Sequence, residues 1–201
     1  MSTLTVQPAT YGDNASLAQF SVAKYQRMIE AGILTTEDKV ELLENYVVLK
    51  MPKNPPHDGT IDLVKAALNR AVPPACLLRV QQTVVFADSQ PEPDFAIARG
   101  TPRSFVVRHP TESDVAMIVE VADSSLLRDQ RDKTRIYARA GITVYWIVNL
   151  VDRRIEVYTQ PSGPIAIPRY GAMQSFQPGD SVPLVLDGAT VASIPVADLI
   201  P

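Results

Sequence analysis

From Ser21 onward the apolar positions fall into short runs of alternating period. Val22, Tyr25 and Met28-Ile29 recur three and four apart, which predicts a helix opening at Ser21, and Gly32 stands where a left-handed residue would end it. Val40–Leu49 holds two apolar runs around Glu44-Asn45. Asparagine tolerates positive φ better than any residue but glycine, so a hairpin turn is expected there. A second helix is expected from His57 to Arg70, with Ile61, Val64 and Leu68 on one face, closed by Pro73-Pro74. Strand-like runs follow at Leu77–Phe86, Asp94–Ala98 and Val115–Val121, each rich in Val, Ile or Phe and bounded by Pro, Asp or Ser. A third helix is expected over Leu127–Ala140, ended by Gly141. Two more strands, Val144–Leu150 and Ile155–Thr159, flank Asp152-Arg153. The pattern predicts an α+β (mixed α/β) domain around one central sheet. Residues 161–201, rich in proline, should add edge strands and loops to a core over 21–160 and not a second domain.

Composition narrows the classes. The chain has 201 residues, 46% of them hydrophobic, which is one domain's worth and enough to bury a sizeable core. Its net charge of −3 excludes a protein coated in positive charge, so any nucleic acid would be bound locally. A single cysteine, Cys76, rules out an intramolecular disulfide, and two histidines are too few for a His-rich metal cluster. No run approaches the roughly 18 apolar residues of a membrane span, and the opening MSTLTVQPATYGDNA lacks the basic start and apolar stretch of a signal peptide. A cytoplasmic protein is expected. Trp146 and Tyr145 read as core, Cys76 as a small buried hydrophobe, Ser124-Ser125 as caps of the third helix and His109 as loop.

Phosphate-cradling glycine loops, nucleophile elbows, C-x-x-C pairs and H-E-x-x-H are all absent. What remains is carboxylates in strand contexts. Glu120 lies within Val115–Ala122, a run apolar on both faces, where an unpaired charge costs several kcal/mol; it is either partnered inside or placed at a solvated strand end beside an arginine. Asp94 follows Pro93, which sets it in extended conformation at the head of a strand. Lys133 shares a helix face with Ile136, Tyr137 and Ala140, the face that must pack on the sheet, so its side chain either reaches back over the Glu120 strand or snorkels to water. Arg131, Arg135 and Arg139 lie elsewhere on the helix and are expected to be solvated. Two acids and a lysine at adjacent strand ends suit a divalent cation, which relieves carboxylate repulsion, and Mg²⁺ takes one or two carboxylates plus water and phosphate oxygens.

Four blocks go further. Val40-Glu41-Leu42-Leu43-Glu44-Asn45 with Met51-Pro52 and His57 is the first, and Pro91-Glu92-Pro93-Asp94 the second. Ile118 to Leu126 is the third, and Asp129 and Lys133 leading into Tyr137–Ile142 and Tyr145–Val148 the fourth. In this order the stretch resembles the Uma2 family of restriction-endonuclease-like proteins, whose members look like the PD-(D/E)xK nuclease superfamily. The resemblance implies a restriction-endonuclease-like core, a mixed sheet flanked by helices. It implies Asp94 and Glu120 as metal-binding acids, with the Val121 carbonyl and Glu41 as further ligands, and Lys133 as the residue that orients the attacking water. His57 matches the family's histidine and is either a structural cap or a substrate phosphate contact. Two positions depart from the pattern: Ala122 stands where the superfamily lysine belongs, with Lys133 on the next helix as its substitute, and Asn45 replaces a glycine. Glu37-Asp38-Lys39 spells E-x-K but precedes Pro93-Asp94 and has no strand.

The expected function is therefore Mg²⁺-dependent hydrolysis of nucleic acid, DNA in the first instance, with Mn²⁺ as substitute cation and a homodimer as the expected assembly. Residues 99–139 hold eight lysines and arginines against six acids, while the flanking regions are net negative. That modest balance suits a short, single-stranded or delivered substrate better than long duplex. The alternative is a nuclease-fold module that binds without turnover.

Overall fold

Strand runs with both faces apolar must be covered on both sides, and they are. The computed structural model describes residues 17–201; the opening stretch read for a signal peptide lies outside the described residues. In chain order the elements are α1 (Val22–Glu30), β1 (Val40–Leu43), β2 (Tyr46–Leu49), α2 (Pro55–Ala71), β3 (Cys76–Val80), β4 (Phe95–Arg99) and β5 (Val115–Ala122). There follow α3 (Leu126–Arg128), a π-helical turn (Asp129–Lys133), α4 (Thr134–Arg139), β6 (Val144–Asn149), β7 (Arg154–Pro161), β8 (Tyr170–Phe176), β9 (Ser181–Leu186) and β10 (Ala189–Pro195). Strands β3 to β8 form one six-stranded mixed sheet in sequence order. All neighbours are antiparallel except β5 and β6, which run parallel because the α3–π–α4 segment carries the chain back between them.

The period of two sorts the sheet's faces. Phe95, Ile97, Met117, Val119, Val121, Trp146 and Val148 pack against α2 through Ile61, Val64 and Leu68, together with the C-terminal segment. Ala96, Ile118, Ala122, Tyr145 and Ile147 face the other way, against Ile136 and Tyr137 of α4 and Leu43 of the β1–β2 hairpin. Glu120 belongs by parity to this second face. The hairpin turns at Glu44-Asn45, both with positive φ, as the sequence predicts. Ser21 caps α1, its hydroxyl accepting from the Lys24 N–H, and Gly32 has a φ of 69°.

Several expectations are corrected. The run Leu77–Phe86 is not one strand: β3 ends at Val80 because Gln81 takes a φ of 52° and turns the chain away. Helix α2 starts at Pro55, where two prolines occupy positions whose N–H would be unused and Asn54, not His57, caps it by accepting from the His57 N–H at 3.1 Å. The expected helix Leu127–Ala140 carries a π turn, whose Asp129 carbonyl accepts from the hydroxyls of Thr134 at 2.8 Å and Tyr145 at 3.2 Å as well as from the Thr134 N–H. Ser125 gives its helix no side-chain cap; its hydroxyl donates to the Asp129 carboxylate at 2.6 Å. Arg135 and Arg139 are not free in solvent but are paired with Glu44, and Arg139 also with Asp88, fastening α4 to the hairpin turn. In the C-terminal segment β8 extends the main sheet, whereas β9 and β10 form a separate two-stranded sheet that buries Val182, Leu184 and Ile194 against α2's side of the core. No helix among the described residues is long and apolar enough to cross a membrane.

Candidate active site

Antiparallel register sets the first pair. Phe95 of β4 lies opposite Val119 of β5, so Asp94, one step before, stands opposite Glu120. The Asp94 N–H donates to Glu120 Oε2 at 3.2 Å, and the Val121 N–H donates to Asp94 Oδ2 at 2.9 Å. The turn at Gln81 brings its amide to Asp94 Oδ1 at 3.2 Å. From the first turn of α2, His57 Nε2 lies 3.2 Å from Asp94 Oδ2. Glu41 arrives on β1, its Oε2 accepting from the Glu92 N–H at 3.3 Å. Five chain segments thus meet at one end of the sheet.

Lys133 closes the arrangement from above. Its ammonium donates to Glu41 Oε2 at 3.1 Å, to Glu120 Oε1 at 3.3 Å and, at 3.5 Å, to the Tyr137 hydroxyl. Tyr137 in turn donates to Glu120 Oε1 at 2.5 Å. Lys133, Glu41 and Glu120 are 5% exposed each, so the lysine does not snorkel and Glu120 does not sit at a solvated strand end. Arg128 adds a second cation 3.7 Å from Glu41 Oε1. Asn54, the cap of α2, donates to Asp123 Oδ2 at 2.6 Å and ties the helix to the chain leaving β5.

Burial pushes the Asp94 carboxyl up, but His57, the Val121 N–H and Gln81 outweigh it and hold it below the usual aspartate value. His57 moves the opposite way, raised by its hydrogen bond to Asp94. Glu120 is raised, by burial above all and by the charge of Asp94, against the pull of Lys133. Burial disfavours the charged form of Lys133, yet the acids around it prevail and it stays protonated. Asp129, buried and close enough to feel Glu120, is pushed up to about 8.

These residues line a cleft of about 160 Å³, together with Lys53, Ser124, Ser125 and Asp129. Among the described residues no three His, Cys, Asp or Glu side chains are disposed to close around one ion. Lys133 already occupies the space between Glu41 and Glu120. The hard oxygens of Asp94 and Glu120 remain, a donor set that fits Mg²⁺, which keeps several waters and needs only one or two carboxylates. Gln81, Tyr137 and Asp129 escaped the sequence reading as site residues. Gln81 interrupts an apolar run, and Tyr137 follows Lys133 by one helical turn; those were the available signals.

A family model described as "Putative restriction endonuclease", Uma2, matches residues 22–197. The chain belongs to the Uma2 family. The crystal structure of a protein from Anabaena variabilis, described as a putative nuclease belonging to DUF820, superposes with a TM-score of 0.64. It is 16% identical, and the alignment covers 90% of this chain and 97% of that one, which fixes the shared fold. No protein of curated description matches the sequence. Uma2 membership and the superposed fold agree with the mixed sheet and flanking helices described above.

Proposed function

We propose that this Uma2 protein is a divalent-metal-dependent endonuclease that hydrolyses phosphodiester bonds of nucleic acid, DNA in the first instance. One observation carries the reading: Asp94, Glu120 and Lys133, far apart in sequence, meet at the end of β5 in an open cleft. Asp94 and Glu120 would hold Mg²⁺, or Mn²⁺ in its place, with water completing the shell and the Val121 carbonyl and Glu41 as further oxygen donors. When bound, such an ion supplies charge neutralisation at the phosphate and a water of lowered pKa.

The protein's own groups supply positioning. Lys133 keeps its proton, so it cannot serve as a general base; it donates hydrogen bonds and stabilises developing negative charge. Its contact with Tyr137 is the longest of the three, and that N–H is the one free to turn toward the attacking water. Tyr137 and the Asp94 N–H fix both oxygens of Glu120, while His57 and Gln81 fix those of Asp94. Lys133 in this account does from a helix what Ala122, beside the strand acid, cannot. A homodimer, the assembly the resemblance leads one to expect, would present two such sites.

The test is incubation of pure protein with labelled DNA and RNA in Mg²⁺ or Mn²⁺, beside Asp94→Asn and Glu120→Gln. Cleavage that needs the ion and disappears in both variants is expected. Cleavage that survives in either variant, or binding with no turnover in any ion, overturns the proposal.

A further inference from the structure

The catalytic cleft is not a blind hollow. Lys50 and Glu92 line both it and a second hollow of about 580 Å³, and their ion pair, 2.6 Å long, is the rib between the two. Ile29, Gln90 and His109 line that second hollow and a third of about 450 Å³, so the three hollows adjoin one another from the acids past α1 and make a stepped groove. The walls of the middle hollow differ in character. Ile29, Leu34 and Val40 are apolar, while Thr36, Thr83 and Lys39 offer hydroxyls and a charge.

We infer that this groove is the track of one single strand of nucleic acid, with its bases against the apolar wall and a phosphate held by Lys39. The inference rests on the hydrolase reading for where the scissile phosphate lies. Three observations favour this occupant. The middle hollow adjoins the cleft that would hold the scissile bond, sharing its Lys50–Glu92 wall. Its volume lies within the roughly 300–1,000 Å³ that small-molecule sites offer, room for a nucleotide or two but not for a duplex. Its cations are few: Lys50 is paired with Glu92 and Arg108 with Asp114, whereas among the described residues Lys39 has no acidic partner. A duplex gripped along both backbones would call for a broader positive surface than a chain of net charge −3 displays.

Lys39 is also held in place by its backbone. It has a φ of 47°, a left-handed conformation uncommon outside glycine and asparagine, and its carbonyl accepts from the Lys50 N–H at 2.8 Å. The helical turn Thr36–Asp38 ends there, so the E-x-K sequence that is a decoy for catalysis delivers its lysine to the groove. His109, whose proton affinity is lowered by burial and by Arg79, would meet the strand as a neutral hydrogen-bonding group.

The test is fluorescence anisotropy with thymidylate oligomers of three and twelve nucleotides and a twelve-base-pair duplex, on Asp94→Asn protein so that nothing is cut. The longer single strand should bind at least about tenfold tighter than the trimer, and tighter than the duplex. Adding Lys39→Asn, which suits the left-handed backbone, should weaken the longer strand about fivefold, lower its log K against log salt slope by about 0.7, and leave the trimer unchanged. Lys39→Gln serves as a second variant should the first disturb the turn, and His109→Ala should act in the same direction as either. Equal affinity for both lengths, preference for duplex, a Lys39 effect shared by the trimer, or equal competition by an oligoglutamate peptide overturns the inference. Cleavage of bis(p-nitrophenyl) phosphate by the unaltered protein is scored separately. Its absence counts against the hydrolase reading, while the length dependence of binding judges the groove.

Discussion

Lys133 is the residue on which the buried charges depend. Lys133→Met removes the cation between Glu41 and Glu120, leaving buried Glu120 without its ion pair and Glu41 with only the more distant Arg128. It should abolish cleavage and cost about 3–5 kcal/mol in urea unfolding. Asp129 gives a pH prediction with a defined sign. Its folded pKa of about 8 lies above the ordinary 3.8, so the folded state holds this proton more tightly than the unfolded chain does. Its contribution is fully present below pH 3.8 and is lost as pH rises toward 8. Asp129→Asn keeps an oxygen for the Ser125 hydroxyl and cannot ionise, so its urea midpoint should exceed that of the unaltered protein more at pH 9 than at pH 5. An equal difference at both would show Asp129 ordinary. At this scale the sequence was legible where one residue type was out of place: Asp94 after proline, Glu120 in an apolar strand, Lys133 on an inward helix face. Gln81, Tyr137 and Asp129 were not legible as site residues because glutamine within an expected strand, tyrosine in a core and aspartate on a helix each have ordinary uses, and only the folded chain brings them to the acids.

Elements place these side chains, and the π turn is the one whose geometry no periodicity announced. Leu126 to Ala140 has the spacing of a plain helix, and the wide turn forms because hydroxyls from Thr134 and Tyr145, the latter on β6, take up the Asp129 carbonyl. Such a partner cannot be read from local sequence. Arg131 points to solvent within this turn, so its deletion should let the segment wind as ordinary helix with far-UV circular dichroism preserved, yet shift Lys133 against its neighbours and cut the cleavage rate by about a hundredfold. The strand Leu77–Phe86 failed for a related reason: nothing in Val80-Gln81-Gln82 marks a left-handed residue, because the turn is imposed by the Gln81 N–H bonding to the Asp94 carbonyl at 2.9 Å. Helix α2, by contrast, carries its own punctuation. Asn54→Ala should lose the cap and the Asp123 tie together, lowering stability by about 1–2 kcal/mol by chemical denaturation.

Taken whole, the molecule spends its apolar sequence on a sheet covered twice, and so leaves one end of that sheet for polar chemistry. The cover on the α2 face depends also on the proline-rich C-terminal segment, which supplies Val182, Leu184, Leu186, Ile194 and Leu199 to the core. A chain truncated after Pro161 should therefore fail to unfold cooperatively, even though the last of the sequence blocks that carry the family resemblance ends at Val148. Fold class follows from the alternation of short apolar runs, whereas the order of strands in the main sheet and the separate β9–β10 sheet do not, because nothing local says which strands share a ladder. The central claim concerns the meeting of distant segments at one cation. A crystal of the protein soaked with Mn²⁺ tests it most directly, through the anomalous difference map. The account predicts one peak in the cleft, within about 2.0–2.6 Å of carboxylate oxygens of both Asp94 and Glu120. A cleft without a peak, or a peak bound by neither acid, would contradict it.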